Sequence, residues 1–204
     1  MSQERKKTGC SEMSVDEKRA IGEHHHRGRS SERLLDKTAI LCNLGIVPGQ
    51  TILDAGCGNG YMSKEFSQLL NNRGKVYALD PDRIAVAAIQ EETEGTNILT
   101  MVGDITTVTQ LPPSAFDLVY LSMVFHGFSS AQIKGFETEV NRVLKPHGKL
   151  AIVEIAKRDT PFGPPLSIRF SPEELKRTLC LVPRATVDAG EHCYMQLFEK
   201  KEQL

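Results

Sequence analysis

The chain lacks a charge of one sign, a long apolar run and paired cysteines, and each absence narrows its function. Its 25 Lys and Arg face 26 Asp and Glu, giving a formal net charge of −1 over 204 residues. No global field therefore draws it to nucleic acid or to an anionic membrane. No apolar run approaches the roughly 18 residues of a membrane span. The polar start, Met1 to Lys7, has no apolar core of the signal-peptide kind. The five cysteines, at positions 10, 42, 57, 180 and 193, include no C-x-x-C pair. An odd, dispersed set argues against a disulfide framework and for a reducing compartment, by default the cytoplasm. No internal repeat or low-complexity domain is evident.

What is present is 40% hydrophobic residues in a chain of single-domain length, enough for a sizeable core. The chemistry centres on Thr51-Ile-Leu-Asp-Ala-Gly-Cys-Gly-Asn-Gly-Tyr61. Thr51 to Asp54 reads as a short apolar strand ending in a carboxylate, and Met62 to Leu70 as a helix. Gly56, Gly58 and Gly60 alternate between them. Glycines allow positive φ and close approach of backbone to a ligand, and the N–H groups and dipole of the following helix attract an anionic group. A dinucleotide fingerprint, G-x-G-x-x-G, would place its third glycine at position 61, where this chain has Tyr61. Asp80 closes the next strand-like run, Lys75 to Leu79, where an acid can bind two ribose hydroxyls.

The other elements follow in order. Residues 1–29 form a polar N-terminal arm and possible lid, and residues 30–204 the folded domain. Within the arm, His24, His25 and His26 are consecutive and cannot all face one metal on a regular helix, where ligands sit at i and i+4. The run reads as a solvated loop, as a lid with substrate or metal contacts, or as an introduced tag. Ser30 or Ser31 is expected to cap a helix to Leu44, with Leu34, Leu35, Thr38, Leu41 and Cys42 on one stripe and Gly45 as its stop. Asp82 opens a helix with Ile84, Ala88 and Glu91 at helical spacing. Ile98 to Val102 and Phe116 to Ser122 read as strands, the second buried by its continuous apolar character. Ser130 to Leu144 is a helix with Ile133, Phe136, Val140 and Val143 on its apolar face, and Leu150 to Ile155 a strand. A proline- and glycine-rich connection, Asp159 to Ser171, has the length of a lid or binding segment. Ser171-Pro-Glu-Glu starts a last helix, and Arg184 to Val187 with His192 to Glu199 fit an antiparallel pair. Strands alternating with helices make this an α/β, doubly wound sheet.

The G-x-G-x-G turn preceded by Asp54, Asp80 after the second strand, Gly103-Asp-Ile105 after the third, Phe116-Asp-Leu-Val and Arg142-Val-Leu-Lys-Pro-His-Gly-Lys149 together resemble the class I (Rossmann-like) S-adenosylmethionine-dependent methyltransferases. The likeness is close from about Val47 to Lys157. The last of these stretches is similar to that of the ubiquinone/menaquinone-type C-methyltransferases, though this chain is shorter and its last part departs from their pattern. The resemblance implies a mostly parallel seven-stranded sheet in the order 3-2-1-4-5-7-6 with an antiparallel last strand. It implies S-adenosyl-L-methionine as cofactor and S-adenosyl-L-homocysteine as product. It places the methionine portion near Gly56, Cys57, Gly58 and Gly60, the ribose on Asp80 with Pro81 beside it, and the adenine at Asp104 and Ile105. The Ser122 carbonyl would accept from the methionine ammonium, which Asp54 would reach through water if it does not instead orient the glycine loop.

The acceptor is expected to be a small molecule, unidentified as to compound and atom. Phe125, Phe128, Phe162 and Phe170 point to an apolar pocket, although core packing explains them equally. Arg29 and Arg33 are candidates for the cofactor carboxylate or the substrate, or exposed helix charges. His126, in the loop after the fourth strand, is the candidate base, because histidine titrates near neutrality; Glu154 is a weaker one. No metal is expected, and oligomeric state is left open. Two other functions compete: a non-catalytic cofactor-binding or partner-activating protein on the same scaffold, and an NAD-dependent oxidoreductase, against which Tyr61 counts. The scattered cysteines do not show the arrangement of arsenite methyltransferases.

Overall fold

The structure is a computed structural model and describes residues 32–201. The arm and its histidines, His24, His25 and His26, lie outside the described residues, as does Arg29. The strands are β1 (Thr51–Ala55), β2 (Lys75–Asp80), β3 (Ile98–Val102), β4 (Phe116–Ser122), β5 (Leu144–Ile155), β6 (Val182–Gly190) and β7 (Cys193–Glu199). They form one sheet in the order β3-β2-β1-β4-β5-β7-β6. The first five run parallel, and β7 is antiparallel to both β5 and β6, as expected.

Helices α1 (Lys37–Leu44), α2 (Tyr61–Leu70), α3 (Arg83–Glu92), α4 (Ser130–Val143) and α5 (Pro172–Thr178) cover the sheet. Side chains alternate across a strand, so each parallel strand feeds two cores. Ile52, Val76, Leu118, Tyr120 and Val153 pack with Ile40 of α1 and Phe66 of α2. Leu53, Leu79, Val119, Leu121 and Ile152 pack with Phe136 of α4 and Leu175 of α5. No helix among the described residues is long and apolar enough to cross a membrane.

Three local expectations are corrected. Asp36, not Ser30 or Ser31, caps the first helix: its side chain accepts from Ala39 N–H at 2.9 Å, and Glu32–Leu34 is a separate 3-10 turn. Ile40 and Leu44 are the helix's buried residues, while Thr38 and Cys42 are exposed. In α3 the buried face is Val86 and Ile89; Ile84 is 74% exposed. Asp82 is the cap, as expected, accepting from Ile84 N–H; the face turned inward is the one that packs on the sheet, roughly opposite the expected stripe. Finally, β5 begins at Leu144 rather than Leu150, because the Lys-Pro-His-Gly turn is absorbed as an irregularity opposite Phe116 and Leu118.

Candidate functional site

The strands β1, β2, β4 and β5 are parallel, so Ala55, Asp80, Ser122 and Ile155 all end on one edge of the sheet. Side chains and loops beyond that edge fall into two groups, one above β1 and β2 and one above β4 and β5.

Above β1 and β2 the site is made mainly of backbone. Gly56, Gly58 and Gly60 have φ of 70°, 53° and 71°, the left-handed region that L-residues enter only at a cost. A Cβ on Gly56 would come within 2.8 Å of Val124 Cγ2, whereas one on Gly58 would meet nothing within 4 Å. The turn is therefore pressed against the loop after β4 on one side and open on the other. Its shape is fixed from below: Gly56 and Cys57 N–H donate to the Leu79 carbonyl at 2.7 and 3.1 Å. Asp80 completes the frame, Oδ2 accepting from Gly58 N–H at 2.9 Å and Oδ1 from Asp82 N–H at 2.8 Å. A carboxylate has about four acceptor sites, so Asp80 retains capacity for further donors. Pro81 is exposed in the turn that follows it.

Asp54 is 3% exposed, and Ser63 Oγ of α2 donates to its Oδ2 at 2.6 Å. Burial pushes its pKa up to about 7, against the Ser63 hydrogen bond, which lowers it. Burial also raises the Cys57 thiol, which keeps it protonated and gives the turn no nucleophile. The hydroxyls of Tyr120 and Ser122 on β4 are buried beside each other and reach no other described group. At the end of β3, Asp104 Oδ1 accepts from both N–H and Oγ1 of Thr106, at 2.8 and 2.7 Å. These bonds form a local turn without using the second carboxylate oxygen. Ile105 is 4% exposed and packs into the core beside Leu79.

The group above β4 and β5 is made of side chains. His126 lies in a 3-10 turn, Phe125–Gly127, and Glu154 near the end of β5 is 2% exposed. Glu154 Oε2 is 2.7 Å from His126 Nδ1, and its Oε1 accepts from His126 N–H at 3.2 Å. One carboxylate thus holds both the ring and the backbone of this residue, and the imidazole lines a cavity of about 420 Å³. Phe128, Ile168 and Phe170 give that cavity apolar walls; Lys157, Arg169 and Arg177 bring it charge. Phe125, expected among the acceptor contacts, is instead fully buried. Its ring centroid lies 5.0 Å from that of Phe170 and 5.6 Å from that of Phe128, so it braces the walls. Phe162 packs edge-on against His192, 5.3 Å away. Arg33 is exposed on the 3-10 turn before α1.

The chain matches known proteins over the same region. Residues 52–148 match the family described as a methyltransferase domain. Over this stretch the chain is similar to methyltransferases. A methyltransferase of Synechocystis sp. named as uncharacterized is 33% identical over 129 residues, 62% of this chain and 57% of that protein. A ubiquinone/menaquinone biosynthesis C-methyltransferase of Wigglesworthia glossinidia brevipalpis is 29% identical over 128 residues, 61% of this chain and 50% of that protein. The chain thus spans about half the length of these curated relatives. The crystal structure of a SAM-dependent methyltransferase from Aquifex aeolicus superposes with a TM-score of 0.75 at 26% identity, over 85% of this chain and 94% of that one.

Within the matched region, the motif from Thr51 to Tyr61 identified the glycine turn from sequence, and the strand-like run Lys75 to Leu79 identified Asp80. The partnership of His126 with Glu154 was not legible, nor were Lys157, Arg169 and Arg177. The one local signal was the length and composition of the connection from Asp159 to Ser171, which contains Arg169.

Proposed function

We propose that the protein transfers the methyl group of S-adenosylmethionine to a small-molecule acceptor, with the cofactor over β1 and β2 and the acceptor in the cavity over β4 and β5. The observation that carries this reading is the open glycine turn framed by Asp80. Backbone there approaches a ligand without Cβ interference, and a carboxylate with spare acceptor capacity stands beside it.

The residues present fit such a cofactor. The buried hydroxyls of Tyr120 and Ser122 lie beside each other and reach no other described group, so the pair keeps unused hydrogen-bonding capacity, and an unsatisfied buried polar group costs about 1–3 kcal/mol. An amino-acid head bearing an ammonium and a carboxylate supplies the donors and acceptors they lack. The Asp54 carboxylate lies close to Tyr120 and attracts the ammonium. Asp80 accepts from the ribose hydroxyls. Asp104 and Ile105, with Pro81 at the rim, border the adenine. Cys57 contributes a small buried side chain and its backbone.

When bound, the sulfonium supplies an activated methyl group, whose bond electrons return to sulfur as S-adenosylhomocysteine is formed. The chain's residues align the acceptor, and alignment alone is worth roughly 7–11 kcal/mol in favourable systems. Val124, packed on Gly56, joins the glycine turn to the loop bearing His126, so both binding regions share one piece of backbone. His126 takes the acceptor's proton at Nε2, while Glu154 at Nδ1 fixes the tautomer and faces the imidazolium that forms.

Calorimetry of the full chain with S-adenosylmethionine, S-adenosylhomocysteine and NADH tests the cofactor. The first two are expected to bind and NADH to be silent; the reverse pattern overturns the reading. Transfer of labelled methyl from the cofactor into a small-molecule extract is expected, and its absence with cofactor bound would leave a binding protein.

A further inference from the structure

The cavity above β4 and β5 carries a charge pattern that methyl transfer alone does not require. Three cations line it, Lys157, Arg169 and Arg177, against one carboxylate, Glu174. That carboxylate is already committed. Its Oε1 accepts from Lys157 Nζ at 2.6 Å, and its Oε2 accepts from Ser171 N–H at 2.8 Å in the capping box of α5.

The two arginines are therefore left without a carboxylate at ion-pair distance, although the charge of Arg177 still acts on Glu174. Arg177 lies three residues beyond Glu174, on the same face of α5, and has no ion pair among the described residues. Arg169 is 6% exposed, and every acceptor around it is neutral. Nε donates to the Pro164 carbonyl, Nη1 to the carbonyls of Ala156 and Arg158 and to Thr160 Oγ1, and Nη2 to the Phe162 carbonyl. The chain closes tightly over this guanidinium at Gly163, where φ is 105° and a Cβ would lie 3.1 Å from Arg169 Nη2. Carbonyl dipoles satisfy its hydrogen bonds but leave its charge in place. A cleft with low-dielectric walls and charge of one sign focuses its field on what enters.

The apolar part of the lining sets the rest of the ligand. Phe128, Ile168 and Phe170 face the same space, two of them braced by buried Phe125. A volume of about 420 Å³ suits one small molecule and not a macromolecular segment.

We propose that this cavity selects a small organic anion, an apolar or aromatic body carrying a carboxylate or phosphate, held by Arg177 with Lys157 in the field of Arg169. That this anion is the methyl acceptor rests on the function proposed above; the anion site itself does not. Arg169 is a positioning residue, since its Nε and Nη1 donors go to loop acceptors and its Nη2 to the Phe162 carbonyl, while Arg177 makes the contact.

The test uses the full chain and aromatic probes differing in charge: benzoate, phenyl phosphate and uncharged benzamide, titrated by NMR with and without S-adenosylhomocysteine. At least one anion is expected to bind tenfold or more tightly than benzamide, and which one distinguishes a carboxylate from a phosphate acceptor. Arg177→Gln, on an exposed helix position, is expected to remove most of that preference, and Lys157→Gln part of it, with S-adenosylhomocysteine affinity unchanged. Equal binding of all three probes, or a preference that survives in both variants, overturns the proposal. Anion preference without S-adenosylhomocysteine binding upholds the anion site and sinks the methyl-transfer reading; binding of S-adenosylhomocysteine without anion preference does the opposite.

Discussion

The two halves of the sheet edge build their sites from different material. Over β1 and β2, one continuous stretch and one strand-end acid supply the geometry: glycine N–H groups, the Leu79 carbonyl and the Asp80 carboxylate. Over β4 and β5, side chains from separate segments converge: His126 after β4, Glu154 on β5, Lys157 beyond it, Arg169 in the connection and Arg177 on α5. A backbone site suits what all members of a cofactor class share, because every residue type but proline carries the same N–H and C=O. A side-chain site is free to vary with the ligand. Under the proposed function, the constant partner falls to the first half and the particular one to the second.

Substitutions can break that division, and the largest effect is expected at His126. His126→Asn should lower kcat by about 10²–10⁴, the usual contribution of a general acid–base group, and leave S-adenosylhomocysteine affinity within twofold. Kinetics and calorimetry on one preparation check it. A loss of cofactor affinity instead would place the ring on the other side of the division.

Next is Gly56→Ala, which attacks the seam between the halves. A side chain at φ 70° costs about 1–2 kcal/mol, and crowding Val124 at 2.8 Å adds about 1–3 kcal/mol. Urea unfolding should show the combined loss, and both cofactor and anion binding should weaken, since the turn and the His126 loop move together. An unaffected anion site would show that the halves are mechanically independent.

Asp80→Ala is expected to weaken cofactor binding by about 1.5–3 kcal/mol, the worth of hydrogen bonds to a charged group, without changing the benzoate-to-benzamide ratio. Because Asp80 also holds the N–H of Gly58 and Asp82, Asp80→Asn serves as the milder comparison. Unchanged cofactor affinity in a folded variant removes the ribose assignment.

The smallest effect is a proton. Burial raises the Asp54 carboxyl from its ordinary 3.8 to about 7. Between those values the folded state holds a proton that the unfolded state has lost, so this group's contribution to stability falls as pH rises from about 4 to about 7 and is flat above. A cationic ligand beside Asp54 favours the ionised form, so cofactor binding near pH 7 should release a fraction of a proton. Calorimetry in buffers of different ionisation enthalpy reads that release, and Asp54→Asn should abolish it. Proton uptake on binding would exclude an ammonium at this carboxylate.

The sequence by itself determined the order of strands and helices and the glycine turn with its acid. Those depend on period-two and helical spacing, on caps and on positive φ, all set by near neighbours. Even so, local pattern misplaced the buried faces of α1 and α3, since which stripe is inward is decided by the sheet beneath: Ile84 fits a helical stripe yet is 74% exposed, while Ile89 is 1% exposed. Only the tertiary structure decided that Phe125 is a brace rather than a contact, that Glu154 holds His126, and that Arg169 keeps its charge among carbonyls. Those facts depend on which distant groups share a low-dielectric space, and no local spacing along the chain encodes that distance.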